Sequence, residues 1–279
     1  MIVGTKRWDP MSFALMGTVL LAIFFLYLPF LQTLLGDWGT DDNYSHGYFI
    51  PAITAYMIYS LRKDLARIPL NPNISGIFLI LFGLMILIIA KIGSEFFLQR
   101  FSLIVVLLGV VHFLCGPAYL KKMALPILYH IFMIPLPAII WNKIAFPMQL
   151  FGSYLTEQVI HFTGIPIFRE GNVLHLTETT LEVVAACSGL RSLVTMFALG
   201  GALTFFSSLS TIRKWVLFFA AAPIAIFANI VRLTGTAILA SIYGSDVAQG
   251  FLHDFSGIVV FVLGLALLVG TNALLAKRR

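Results

Sequence analysis

Long apolar runs return again and again along this chain, and no single water-soluble core built from 279 residues could hide them all. Hydrophobic residues make up 59% of the chain and charged residues only 11%, with a mean hydropathy of +0.96, so lipid has to serve as the solvent. A hydrocarbon layer about 30 Å thick is crossed by about 20 apolar residues in helical conformation. Runs of that kind cover Met11 to Leu35, Gly47 to Leu61, Ile74 to Ile92, Phe101 to Leu120, Met123 to Ile140, Ala186 to Ser208, Trp215 to Leu233 and His253 to Ala276. The second is short, and the fifth carries Pro126, Pro135 and Pro137. The expected fold is an all-α membrane protein, a bundle of about eight transmembrane helices forming one integral membrane domain over residues 1–279.

Basic residues set the orientation, because short cytoplasmic loops retain Lys and Arg. Lys6 and Arg7, then Arg62, Lys63 and Arg67, then Lys121 and Lys122, then Arg213 and Lys214, then Lys277, Arg278 and Arg279 fall on alternate turns. These are twelve of the 18 basic residues, and only Asp9 and Asp64 of the 12 acidic ones accompany them. Both termini are therefore expected in the cytoplasm, with the chain in the inner (cytoplasmic) membrane and the first run kept as an anchor, since no small-residue cleavage site precedes Pro29. The net charge of +6 is a topology signal. No loop interleaves basic and aromatic residues as strand binding requires, so nucleic acid is excluded as a partner. Cys115 and Cys187 fall on opposite faces of this map, which argues against a disulfide between them.

The outer loops carry the polar interest. Gly36 to Pro51 is a polar segment that includes Tyr44, Ser45 and His46. Between Trp141 and Thr163, Ile144, Met148, Phe151, Leu155 and Val159 recur at spacings of three and four, the pattern of an amphipathic helix lying in the interface. Ile165 to Val184 then turns β-like, with Arg169, Glu170, Gly171 and Asn172 as a hairpin turn and Val173 to Leu176 as the returning strand of a small outer β-hairpin.

That hairpin leads into Ala185-Ala186-Cys187-Ser188-Gly189-Leu190-Arg191. On the charge-derived map Cys187 opens a helix running inward, Arg232 closes one running outward and His253 opens the next one inward. Thiol, guanidinium and imidazole therefore share one membrane depth. A thiolate attacking a carbonyl, an imidazole exchanging the proton and a guanidinium holding the oxyanion would form a covalent catalytic set. Singly each residue has a blander reading: cysteines in membrane helices more often pack, helix-end arginines snorkel, and loop histidines are structural. Their coincidence at one face is what argues for chemistry.

Other polar residues hold supporting positions. Arg191, at i+4 from Cys187, would hold the thiolate or snorkel outward, and Asn229, at i−3 from Arg232, is placed to orient it. Ser188 lacks a neighbouring base and is better read as a helix cap, while His46 would contact substrate or position its loop. Asp254 reads as structural. His112, His130, His161 and His175 show no metal spacing, so no metal and no cofactor are expected.

The segment Leu181 to Leu193, LEVVAACSGLRSL, resembles the signature of the exosortase and archaeosortase family of membrane cysteine transpeptidases. Asn229 to Arg232 and His253 match its other two motifs in order and separation, and the likeness extends to Asn43 to Gly47, Pro135 to Trp141 and Gly164 to Leu176. The resemblance implies catalytic roles for Cys187, Arg232 and His253. It also implies secreted substrates whose C-terminal sorting tail joins a motif such as Pro-Glu-Pro to an apolar helix and a basic cluster. Many members carry Glu two residues before the cysteine, where this chain has Ala185, which leaves the subgroup and its tail open. Two other classes compete: a small-molecule or anion transporter using Arg232 in a midplane cavity, and an intramembrane acyltransferase. The transporter predicts inverted repeats and polar residues at mid-depth, and neither is visible.

Overall fold

The computed structural model describes residues 10–177, 179–184, 188–244 and 251–277. It is mostly helical, at 81%, with one small sheet, and it divides into two compact units, Met1–Pro137 and Ala138–Arg279.

In the first unit, α1 (Pro10–Thr40) leads through a 3-10 helix (Asp42–Tyr48) into α2 (Phe49–Leu65), followed by α3 (Gly76–Ile92), α4 (Phe96–Cys115) and α5 (Pro117–Leu128). Tyr27, Leu87, Val106 and Val110 form a core shared by α1, α3 and α4. Two polar pairs accompany it. The Tyr27 hydroxyl lies 2.9 Å from that of Ser102, and buried Arg100 meets Asp37 at 2.5 Å. Cys115 is a buried free thiol at the end of α4, packed with Leu65 and Tyr119. A run expected to continue to Ile140 breaks after a second 3-10 helix (Tyr129–Met133), because Pro135 and Pro137 cannot donate to a helical ladder.

In the second unit, α6 (Ala138–His161) precedes a three-stranded antiparallel sheet of β1 (Ile167–Glu170), β2 (Val173–Leu176) and β3 (Thr180–Glu182), in that order. Then come α7 (Leu190–Phe206), α8 (Thr211–Tyr243) and α9 (Phe251–Lys277). Met196, Leu217, Ala221, Ala225 and Leu268 form the core on which α7, α8 and α9 meet. The hairpin turn is tighter than its sequence suggests. Glu170 pairs with Val173, so only Gly171 and Asn172 make the turn while Arg169 and Glu170 belong to β1. β3 is a strand the sequence did not separate from its surroundings.

Among the described residues, four helical segments are long and apolar enough to cross a membrane: Ala14–Thr40, Phe96–Cys115, Thr211–Tyr243 and Gly257–Lys277, with mean hydropathy between 2.0 and 2.5. A fifth is reached if Pro117–Met133 and Ala138–His161 count as one broken span. α3 and α7 are shorter apolar helices. Of the apolar residues with helical spacing on α6, Ile144, Phe151 and Val159 face outward, at 39%, 49% and 41% exposure. Its buried face is small or polar through the middle, at Ala145, Gln149, Gly152, Ser153 and Thr156, with Trp141 and Ile160 buried near its two ends. Where lipid surrounds the protein, helices meet through small residues and aim their apolar side chains at the hydrocarbon.

Candidate active site

Glycine and asparagine form the centre of the candidate site. Gly189 sits at φ +83 directly before α7, a left-handed conformation that costs a residue with a Cβ about 1–2 kcal/mol. A Cβ there would lie 2.8 Å from the Asn229 carboxamide on α8, so only glycine lets the turn approach this closely. The other side of the same asparagine faces α6, where a Cβ on Gly152 would stand 3.2 Å from Leu233 and 3.9 Å from Asn229. Asn229 is 3% exposed, held where α6, α8 and the turn into α7 converge.

Ser188 is 2% exposed, and its hydroxyl accepts from the Leu190 amide at 3.2 Å, but the N-cap of α7 is Gly189, so Ser188 stands one residue ahead of the cap. α7 begins at Leu190, later than the Ala186 start expected from hydropathy, because the left-handed Gly189 interrupts helical geometry. The i, i+4 relation between Cys187 and Arg191 that assumed one continuous helix therefore does not apply. Arg191 stands in the first turn of α7, half-buried. Cys187 itself lies outside the described residues, as do Ala185 and Ala186.

The chain on the other side of Cys187 is held equally firmly. The Asn172 side chain donates to the Val183 carbonyl at 3.2 Å, and the Val183 amide donates to the Asn172 carbonyl at 2.9 Å. Val183 is 3% exposed and packs with Leu174 and Leu233. The sheet in turn is fastened to α6: Arg169 pairs with Glu157 at 3.2 Å, and its backbone amide donates to the same carboxylate at 3.1 Å. The Ser153 hydroxyl reaches the Gly171 carbonyl at 2.9 Å. Val183 thus meets α8 at Leu233, and Gly189 meets it at Asn229. The two described flanks of Cys187 touch one face of α8, either side of the turn that carries Arg232.

Arg232 is half-buried, and α8 runs on past it to Tyr243, so it does not close the helix as expected. The extension is covered: Ala237 and Ala240 pack with Ile160 of α6 and Leu176 of β2. His253 stands in the first turn of α9, near the helix start the sequence predicted, and its side chain lies outside what is described. His46 belongs to the first unit, in the 3-10 helix Asp42–Tyr48, where its Nε2 donates to the Phe132 carbonyl at 2.9 Å. Burial lowers its pKa below the ordinary 6.5. Nearby, Tyr44 accepts from the Leu136 amide at 2.9 Å, and burial raises its pKa to about 12. Both side chains bond the backbone between Phe132 and Leu136. Sequence reasoning missed Glu157, Asn172, Gly152 and Gly189. The glycine within Cys-Ser-Gly-Leu was the one available signal.

Residues 38–270 match the sequence model of a family described as transmembrane exosortase (Exosortase_EpsH). No curated protein and no solved structure matches the chain.

Proposed function

The chain belongs to the transmembrane exosortase family, and from that premise we propose that it is a membrane-embedded cysteine transpeptidase that cleaves the C-terminal sorting tail of secreted proteins through a thioester on Cys187. One observation carries the assignment of residues: Val183 and Gly189, the described flanks of Cys187, pack against Leu233 and Asn229, which bracket Arg232. The matched span of residues 38–270 includes Cys187, Arg232 and His253.

In this mechanism the Cys187 thiolate attacks the scissile carbonyl carbon and the carbonyl π electrons move onto oxygen. Arg232 holds that oxyanion through its planar donor fork, with Asn229 orienting the turn that carries it. As the intermediate collapses, the C–N bond breaks and His253 gives a proton to the departing amine, leaving an acyl thioester on Cys187. An amine acceptor or water then attacks the thioester, His253 takes its proton, and the thiolate leaves. Arg191 and Ser188 stand near the nucleophile in the chain, one as a charge in the first turn of α7 and one bonding the Leu190 amide. His46 serves the loop of the first unit.

The remaining parts of the reading follow the same premise. In this proposal the chain crosses about eight times with both termini in the cytoplasm, and the site lies at the outer face of the inner membrane, where translocated substrates bearing a Pro-Glu-Pro type tail arrive. The twelve basic residues on one set of turns support that orientation. The partners are such secreted proteins and membrane lipid, with no cofactor and no metal in the mechanism. The deciding experiment co-expresses the enzyme with a secreted reporter carrying a Pro-Glu-Pro motif, an apolar helix and a basic cluster. Cys187→Ala, shown to reach the membrane at normal abundance, should leave the reporter uncleaved. Cleavage at the wild-type rate would rule out covalent catalysis by Cys187.

A further inference from the structure

The two edges of the small sheet are not equivalent. Strand order β1-β2-β3 leaves β1 and β3 as edges. Along antiparallel strands, successive residues send their amide and carbonyl groups alternately toward and away from the partner. Arg169 of β1 points its amide away from β2, and that amide is taken by the Glu157 carboxylate at 3.1 Å, so α6 plugs this edge. On β3 the phase is set by two bonds, Val183 amide to Asn172 carbonyl at 2.9 Å and Leu176 amide to Thr179 carbonyl at 2.8 Å. With Leu174 opposite Leu181, the residues whose backbone groups turn away from β2 are Thr180 and Glu182. Both residues are exposed. The Glu182 carbonyl accepts from the Val184 amide at 3.0 Å, which leaves the Thr180 amide, the Thr180 carbonyl and the Glu182 amide directed outward and unclaimed among the described residues.

An open edge is a template for another strand. This one has three residues, far too short for the roughly 1,200 Å² that a stable protein pair buries, so a second copy of the chain does not fit it. It does suit a polypeptide already tethered by its own membrane tail, for which two or three main-chain bonds need only set register. The edge also lies five residues before Cys187 in the chain and is continuous with Val183, which is fixed to Asn172 and α8.

Resting on the transpeptidase reading above, we infer that the open edge of β3 is the substrate-binding strand. It pairs with the extended main chain of the secreted polypeptide on the N-terminal side of its sorting motif and so sets which carbonyl faces Cys187. Recognition here is by backbone, which leaves the substrate's side chains in that stretch largely free.

Purified enzyme and a synthetic peptide bearing the Pro-Glu-Pro motif and an apolar tail provide the test. Single N-methylation is walked through the six residues preceding the motif. The expected result is a period of two, with KM rising about tenfold or more at alternate positions and kcat little changed, as loss of a main-chain bond plus a methyl obstruction requires. Thr180→Pro and Glu182→Pro, which remove outward amides without touching the β2 ladder, should raise KM in the same way while Cys187 alkylates at its wild-type rate. The peptide series needs no variant to fold. KM independent of methyl position would overturn the inference while leaving the transpeptidase reading intact. Equal cleavage of the unmodified peptide by wild type and Cys187→Ala would overturn the reading itself.

Discussion

Two short segments of this chain, one in each unit, differ in how they are held. In the first unit, the segment from Trp38 to Tyr48 turns its side chains on backbone. The Trp38 indole donates to the Met133 carbonyl at 2.8 Å, His46 donates to that of Phe132, and Tyr44 accepts from Leu136. In the second unit, the segment from Val183 to Arg191 is fixed from outside. Glycine contacts, Asn172 and the face of α8 from Asn229 to Leu233 hold it. The first segment commits its own side chains to the backbone of Phe132, Met133 and Leu136. The second is held at its ends, which suits a segment that must present a side chain to chemistry.

Paired glycine substitutions give the largest expected effects. Gly189→Ala meets both a left-handed backbone and the Asn229 carboxamide, and should cost about 3 kcal/mol and at least 100-fold in reporter processing per folded molecule. Gly47→Ala drives a Cβ into the Trp38 indole and should cost about 1–3 kcal/mol, with processing per folded molecule near wild type. Thermal unfolding in detergent alongside reporter cleavage reads both. Equal loss of processing in the two variants would erase the contrast between the loops.

Glu157→Ala should have an intermediate effect. It removes a part-buried charge partner of Arg169 and the acceptor of its backbone amide, at a cost of about 2 kcal/mol. Hydrogen exchange should quicken in β1 first, with the first unit unchanged. Exchange that quickens in residues 38–48 and not in β1 would contradict the anchoring scheme.

The smallest effect concerns pH. Because burial lowers the His46 pKa, the folded unit binds fewer protons than the unfolded chain as pH falls past 6.5. Its contribution to stability is complete above that value and is lost as pH drops toward the folded pKa. The Tm should therefore fall between pH 7.5 and pH 5.5, and less steeply in His46→Gln. Identical slopes would show that His46 titrates as if exposed.

Much of this architecture was legible because lipid imposes simple rules. The apolar runs located α1, α3, α4, α8 and α9 to within a few residues to about ten at their ends, and the Gly171-Asn172 pair marked the hairpin. Family membership was legible in Cys187 to Arg191, Asn229 to Arg232 and His253. What escaped did so for physical reasons. On α6, Ile144, Phe151 and Val159 face outward as an interfacial helix requires, but the packed residues Ala145, Gln149, Gly152, Ser153 and Thr156 are small or polar and leave no hydropathy signal. α8 passes Leu233 because Ala237 and Ala240 are small enough to lie under the sheet, a tertiary contact that hydropathy cannot register. The tie from Glu157 to Arg169 joins residues 12 positions apart in different elements, and neither forms a motif with its neighbours.

Arg232→Lys retains charge but loses the planar fork, so processing should fall about 100-fold to 1,000-fold if Arg232 serves the oxyanion. The most direct measurement of the central claim is the covalent state of the enzyme during turnover. Wild-type protein mixed with the tailed peptide, quenched in acid and analysed by intact mass and peptide mapping, should carry the acyl fragment on Cys187. Neutral hydroxylamine should release it, as it does a thioester. An adduct mapped to Ser188 or Cys115, or full turnover with no acylated enzyme at any quench time together with unimpaired cleavage by Cys187→Ala, would contradict the account.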